Sequence, residues 1–516
     1  MKSMTRCLVL AMAAIVAAGP LSSAEKDAVK SDVSTGLRPF FERFDADRGN
    51  LNRFYNIPLS GGDHKRRLAF YQEQQDALKK LDFDGLSRDG QVDYLLLRNE
   101  LSHTRRKLLR ERELDQEVLP LMPFWKPIVS QLEAHRRLEP VDGKTVAASL
   151  EEIEAQITAV RGDLERSLAE SRKRWGKEKA ERASRRVRDL SGALSRWFQF
   201  YNGYNPLFSW WVKQPAQQVR EALDRYAKLI SDQLVNHSSK KSRDPDRLVG
   251  EPIGAEALSL ALEREMIAYT PAELVEIAQR EFAWCDKEMA KASRALGFGD
   301  DWRKAQDQVK KLHVQPGEQP KLIKMLALEA ENFLEERKLL TIPPLCKETW
   351  RMQMMSASRQ RVNPYFTGGE VISIAFPTSG MSHEAKRMSM RGNNRHFSRS
   401  AVHHELIPGH PLQGYMASRW NTHRRLFYTP FLVEGWALYW ELKLWDLGFP
   451  RSPEDQVVML FWRAHRCARI LFSLNFHLGN WSPEECVEFL MDKVGHEERN
   501  ARAEVRRSIQ GGYGPL

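Results

Sequence analysis

The stretch His403-His404-Glu405-Leu406-Ile407-Pro408-Gly409-His410, followed by Glu434-Gly435-Trp436-Ala437, decides how this chain is read. It sets three imidazoles and two carboxylates in a segment otherwise rich in apolar residues. A zinc ion takes three protein ligands of N or O type and keeps one position for water. Two histidines on a helix, a glutamate beside the first and another on a following helix supply that set. The adjacent Glu405 is the natural general base. The residues point to a zinc-dependent hydrolase, above all a peptidase.

The spacing is unusual. In His-Glu-x-x-His the two histidines are about 40° apart around a helix. Here the residue four after His404 is Pro408, and the next histidine comes six after it. Six residues turn an ideal helix by roughly 600°, which leaves the two side chains on different faces. His403 and His410 share a face, but a rise of ~1.5 Å per residue separates them by ~10 Å. That is too far for one ion with Zn–N near ~2.1 Å. A local break resolves the conflict. Pro408 lacks an N–H and clashes with the carbonyl four residues back, and Gly409 tolerates unusual dihedrals. A Pro-Gly bulge in the helix would return His410 to the face of His404. The ordinary alternatives are a core histidine at 403 and a capping or ion-pairing carboxylate at 434. Spacing alone does not choose between the two readings.

The N-terminus has the layout of a secretory signal: Lys2 and Arg6, an apolar run from Cys7 to Ala18, and Ser22-Ser23-Ala24 as a small-residue cleavage site. A signal peptide is expected over 1–24, with a short uncleaved anchor as the alternative, and the apolar run is too short for a comfortable membrane span. Cys7 lies inside that run, so no lipid anchor is expected. The signal peptide predicts a periplasmic or secreted protein, and no later stretch looks long and apolar enough to span a bilayer. Cys285, Cys346, Cys467 and Cys486 are too few for a disulfide scaffold and lack the Cys-x-x-Cys spacing of structural zinc. They are expected as buried free thiols or one isolated disulfide. The net charge is +11, or +9 without Lys2 and Arg6. Such a charge favours acidic ligands or anionic surfaces without specifying one. The basic run Arg172 to Arg188 is interleaved with Glu and Ala and reads as a solvated helix face. No aromatic-and-basic stripe suggests nucleic-acid binding.

Along the chain, helices with polar loops are expected up to about Val118. Thr145 to Phe200 reads as the longest helical stretch, with Leu150, Ile153, Ile157, Val160, Leu164 and Leu168 at three- and four-residue steps. Ser238 to Asp246 is a polar linker, which divides the chain into an N-terminal helical region (25–245) and a catalytic region (246–516). Thr270-Pro271 marks a helix start. The clearest strand is Gly369 to Phe376, expected either as the edge strand that pairs with an extended peptide or as an ordinary structural strand. The expected fold is mainly α with a small β-sheet (α+β), its helices forming a cleft.

The strings His403 to Gln413, Glu434 to Glu441, Met388 to Asn394, Phe461 to Arg469, Val494 to Glu497 and Glu504 to Ser508 resemble the signatures of the bacterial family called domain of unknown function 885 (DUF885). Its members resemble zincin-type metallopeptidases. The resemblance implies a zincin-like metallohydrolase that binds one Zn²⁺ through His404, His410 and Glu434, with Glu405 as base. His403 is expected to orient Glu434 or Glu405, and Glu441 to be structural. A second electrophile is needed for the developing oxyanion; His496, Arg506 and Tyr513 are the candidates. The family usually has another histidine where this chain has Pro411. It also usually runs on after Gly-Pro-Leu, whereas this sequence stops at Leu516, so a truncated end or a missing wall of the site is expected. The substrate is expected to be a peptide or a small amide. The rivals are a non-peptide amide or ester hydrolase using the same metal, and a zincin-scaffold binding protein that has lost turnover.

Overall fold

Long apolar-faced helices joined by short polar turns make up most of the protein. The structure is a computed structural model, and it describes residues 37–235, 248, 250 and 252–509. The signal-like N-terminus, the Ser238–Asp246 linker and Tyr513 lie outside the described residues. The fold is mainly helical with one three-stranded sheet, as the sequence pattern predicts.

The chain divides into two compact units, one reaching Asn56 and resuming over Gly62–Arg106, the other comprising Ile57–Gly61 and Lys107 onward. The first contains α1 (Arg38–Phe54), α2 (Gly61–Lys79) and the start of α3 (Arg88–Val118). Its core includes Phe41, Phe44, Phe70 and Tyr71, with Phe44 stacked on Phe70 at 5.9 Å.

The second unit begins with α4 (Trp125–Arg136), α5 (Gly143–Arg166), α6 (Leu168–Tyr201) and α7 (Pro206–Ile230). The expected single stretch from Thr145 to Phe200 is two helices. The break falls at Ser167, and Gly176 (φ 62°) kinks α6 at a dihedral only glycine adopts freely. Leu150, Ile153, Ile157 and Leu164 are buried as their spacing predicts, in a core with α6 and α7.

Separate apolar clusters begin at Leu248. Here stand α8 (Gly254–Arg264), α9 (Pro271–Ala295), α10 (Trp302–Lys310), α11 (Gln319–Glu336) and α12 (Pro344–Thr349). Thr270 and Glu273 form a full capping box at the start of α9, which satisfies backbone N–H groups that a helix leaves orphaned. Three short strands follow: β1 (Arg351–Met354), β2 (Phe366–Thr367) and β3 (Val371–Ile374), in the order β1-β3-β2. β3 pairs parallel with β1 and antiparallel with β2. Of the two readings of this segment, the ordinary structural strand holds: β3 is central, with Ile372, Ser373 and Ile374 buried, and β1 and β2 are the edges.

The remaining helices are α13 (His383–Gly392), α14 (Arg395–Glu405), α15 (His410–Ala417), α16 (Pro430–Asp446), α17 (Pro453–His477), α18 (Pro483–Phe489) and α19 (Glu498–Ile509). α14 packs against α11, α16 and α17, which fixes the helix carrying the first metal-type residues at the centre of this region. The four cysteines of this region are free and buried. Among the described residues no helix is long and apolar enough to cross a membrane.

Candidate metal centre

The start of α14 is set by Asn394, whose side chain accepts from the backbone N–H groups of His396 and Phe397. Such a cap is worth about 1 kcal/mol. The neighbouring Asn393 donates to the Pro364 carbonyl just before β2. α14 stops at Glu405, and α15 begins at His410 after a turn with a cis Ile407–Pro408 peptide bond. The predicted bulge is thus a complete break between two helices, and it has the predicted effect. The Gly409 N–H donates to the His403 carbonyl at 3.0 Å. A Cβ on Gly409 would lie 1.7 Å from the His404 carbonyl oxygen, so only glycine permits so close a return. Trp436 Nε1 donates to the Pro408 carbonyl at 2.8 Å, which ties the turn to α16.

The return brings the His404 and His410 rings to a centroid separation of 4.8 Å, perpendicular to each other. Glu434 approaches from α16, which Thr429 caps as its position predicts. Glu434 stands just past the first turn rather than within it. Its oxygens lie 3.3 Å from His404 Nε2 and 3.8 Å from His410 Nε2. Glu405 lies 3.9 Å from each of the same nitrogens. By mutual distance Glu405 groups with the two histidines, but Glu434 is nearer to both nitrogens. That order suits Glu434 as third ligand and leaves Glu405 one step away.

Glu441 has a role the sequence reading missed. One oxygen lies 2.6 Å from His404 Nδ1 and accepts from Arg466 at 2.7 Å. A carboxylate at Nδ1 holds the proton on that nitrogen and leaves Nε2 free to face His410 and Glu434. Its place seven residues after Glu434, on the same helix face, was the available signal. His410 has no such support: its Nδ1 is buried without a hydrogen-bond partner among the described residues.

The electrostatics are those of an acid-rich cluster in which His404 is buried, Glu405 and His410 are half-buried and Glu434 is exposed. Burial works against charge on His404, but hydrogen bonds to Glu434 and Glu441 prevail and raise its pKa to about 9. Burial raises the Glu405 pKa to about 7, against the pull of His404. Burial drives His410 down to about 4, with His404 adding to the effect. A metal competes with the proton for an imidazole nitrogen, and a carboxyl group near neutrality is poised for proton transfer.

These groups line a pocket of about 340 Å³. β2 with Gly368 and Gly369 forms one wall, and α14, α16, α17 and α19 form the others. A Cβ on Gly368 would come within 2.6 Å of Glu405 Oε2, so the glycine lets the end of β2 lie against the carboxylate. Arg466, Arg469 and Arg507 line the pocket, as do Tyr365 and Glu504.

The other expected site residues fare differently. His403 is buried against Phe449, and neither ring nitrogen has a hydrogen-bond partner among the described residues. It therefore orients neither Glu434 nor Glu405. His496 does not reach the pocket: its nitrogens are taken by Tyr365 Oη at 3.0 Å and His465 Nδ1 at 2.9 Å. Arg506 is buried and absent from the pocket wall, because one residue step turns a helix by about 100° and Arg507 takes the inward position. Tyr513 lies outside the described residues. Pro411 is the second residue of α15, which accounts for it as a first-turn helix residue.

The profile of a family described as bacterial protein of unknown function (DUF885) matches residues 55–512. No curated protein matches the chain. A solved structure from Shewanella oneidensis, provisionally described as a lipoprotein of unknown function, is similar with a TM-score of 0.64 and 19% identity, over 92% of this chain and 89% of that one. Another from Colwellia psychrerythraea, provisionally described as a lipoprotein, has a TM-score of 0.51 and 14% identity, over 95% and 89%. At these identities the likeness is one of fold alone.

Proposed function

Because the chain belongs to the DUF885 family, whose function is unknown, its activity must be read from its own site, and we propose that it is an exported, zincin-like zinc-dependent hydrolase acting on peptide bonds. The observation that carries this is the convergence of His404 Nε2, His410 Nε2 and a Glu434 carboxylate, with Glu405 beside them. The donor set fits zinc: two imidazoles and a carboxylate suit it, and Glu441 fixes the tautomer one ligand needs.

His404, His410 and Glu434 would hold the ion. Zinc, when bound, acidifies water and polarises a carbonyl. Glu405 accepts the proton of the attacking water and hands it to the leaving nitrogen. Glu441 and Arg466 hold the His404 ring. β2 pairs only with β3 among the described residues, and its end at the pocket offers a backbone edge to an extended substrate. The signal-like N-terminus and the lipoprotein descriptions of the two similar structures support export to the periplasm or beyond. The pocket volume of about 340 Å³ also favours a second reading, hydrolysis of a small non-peptide amide or ester.

Metal analysis combined with a peptide-library cleavage assay tests the proposal. Stoichiometric zinc and cleavage that disappears in Glu405→Gln are expected. Zinc with cleavage of small amides or esters alone selects the second reading. A folded protein that takes up no zinc overturns both.

A further inference from the structure

The pocket that holds the paired histidines also carries three guanidinium groups, and two of them are already engaged. Arg466 donates to Glu441 at 2.7 Å. Arg469 donates twice to one oxygen of Glu504, at 3.1 and 2.5 Å. Arg507 lines the same pocket, yet it forms no ion pair among the described residues, and its Nε is buried without a hydrogen-bond partner. Glu504, one turn earlier on α19, is the obvious counter-ion, but Arg469 occupies it. A buried, unpaired donor costs free energy unless something satisfies it. A guanidinium is a planar fork matched to a carboxylate.

The size of the pocket bears on what that carboxylate belongs to. A cavity of about 340 Å³ lies at the small end of ligand sites. It holds the end of a chain or a small acyl compound. We propose that Arg507 binds a free carboxylate on the leaving side of the scissile amide, so that the substrates are short peptides cut near their C-terminus or N-acyl amino acids. This rests on the hydrolase reading above and narrows it. Arg507 is a specificity-determining residue in this scheme: it selects the substrate end and takes no part in proton transfer.

The test separates the two readings by measuring binding as well as turnover. Matched N-acetyl dipeptides, one ending in a free carboxylate and one in a carboxamide, are titrated into the full-length protein with zinc present and without it. The same pair is assayed for cleavage. The free acid should bind about 10- to 100-fold more tightly than the amide, the range of a charge-assisted hydrogen-bonded pair. Arg507→Met should erase that preference by weakening the acid alone, and Arg507→Lys should restore part of it. N-acetyl amino acids against longer peptides then distinguish the two substrate sources. Equal binding of acid and amide by the wild-type protein overturns the inference without recourse to any variant. Cleavage of both at equal rates also overturns it, while the hydrolase reading stands. Preference for the acid without cleavage of either upholds the Arg507 assignment and sinks the hydrolase reading.

Discussion

The protein buries two histidine clusters, and they are built to opposite ends. In one, His404 and His410 turn Nε2 atoms toward a shared carboxylate and an accessible pocket. In the other, His465 and His496 share a hydrogen bond at 2.9 Å, and Tyr365 takes the remaining nitrogen of His496. The second cluster spends most of its hydrogen-bonding capacity internally; His465 Nε2 alone of its ring nitrogens has no hydrogen-bond partner among the described residues and lies 3.7 Å from Glu504. Burial drives the His496 pKa down to about 3, so the ring is neutral and structural. The first leaves donor atoms pointing at one another across a gap, surrounded by carboxylates that favour a cation. Each cluster has two histidines, and all four are buried but His410, which is half-buried. What separates them is where their nitrogens face: His404 and His410 line a carboxylate-rich pocket, whereas His465 and His496 do not.

The largest effect expected from this contrast is on turnover. Glu405→Gln should lower the rate by about 10²- to 10⁴-fold while zinc content, read by elemental analysis, stays near stoichiometric. His496→Gln, compared per folded molecule, should change the rate only a few-fold. A comparable collapse in both variants would erase the distinction between the clusters.

Next comes metal affinity at the ligands. His410→Ala should lose zinc by more than the roughly 100-fold that removing an outer contact costs. His403→Ala should retain it and lose stability instead, because its ring packs on Phe449 and offers no bond to the site. Zinc retained in the first variant and lost in the second would reverse the register of the whole site. Smaller again is Glu441→Gln, expected to weaken zinc by about 10- to 100-fold through a poorly held His404 ring. Unchanged affinity in a competition titration would demote Glu441 to a plain ion-pair partner of Arg466.

The smallest effect is one of pH. The folded-state pKa of His496 is depressed, so its unfolded form takes up a proton first as acid is added. Its contribution to stability is present above the unfolded value of about 6.5 and is lost as pH falls toward about 3. Urea melts of His496→Gln should show a shallower decline over that window than the wild type. Parallel profiles would mean that the closed cluster is not what acid attacks.

Much of the clustering at the candidate metal centre was legible in the sequence because its information is local. His404, Glu405 and His410 fall on one short segment, and Pro408-Gly409 announces the break that unites them. Thr429-Pro430 announces the helix that carries Glu434. The long-range assignments went astray for one reason: they depend on which face meets which neighbour. β3 has the composition of an edge or a central strand alike, and only its pairing with Arg351–Met354, twenty residues upstream, decides. His496 lies in a family-like string, yet its partners are Tyr365, just before β2, and His465 on α17. Arg506 and Arg507 are indistinguishable until α19 is docked. Glu441 looked structural because its distance from the metal face was judged along its own helix, whereas it acts on the far side of the His404 ring.

That last arrangement makes α16 a gauge. Glu434 and Glu441 grip the same imidazole from its two nitrogens, so a spacing of two helical turns in one element is matched to the width of a ring in another. Inserting or deleting one residue between them would swing one acid by about 100° while the other stayed in place. Substitution can soften this part of the protein, but a change in length cannot pass through it. Among homologues, the seven-residue interval should therefore outlast the identity of nearly every residue within it.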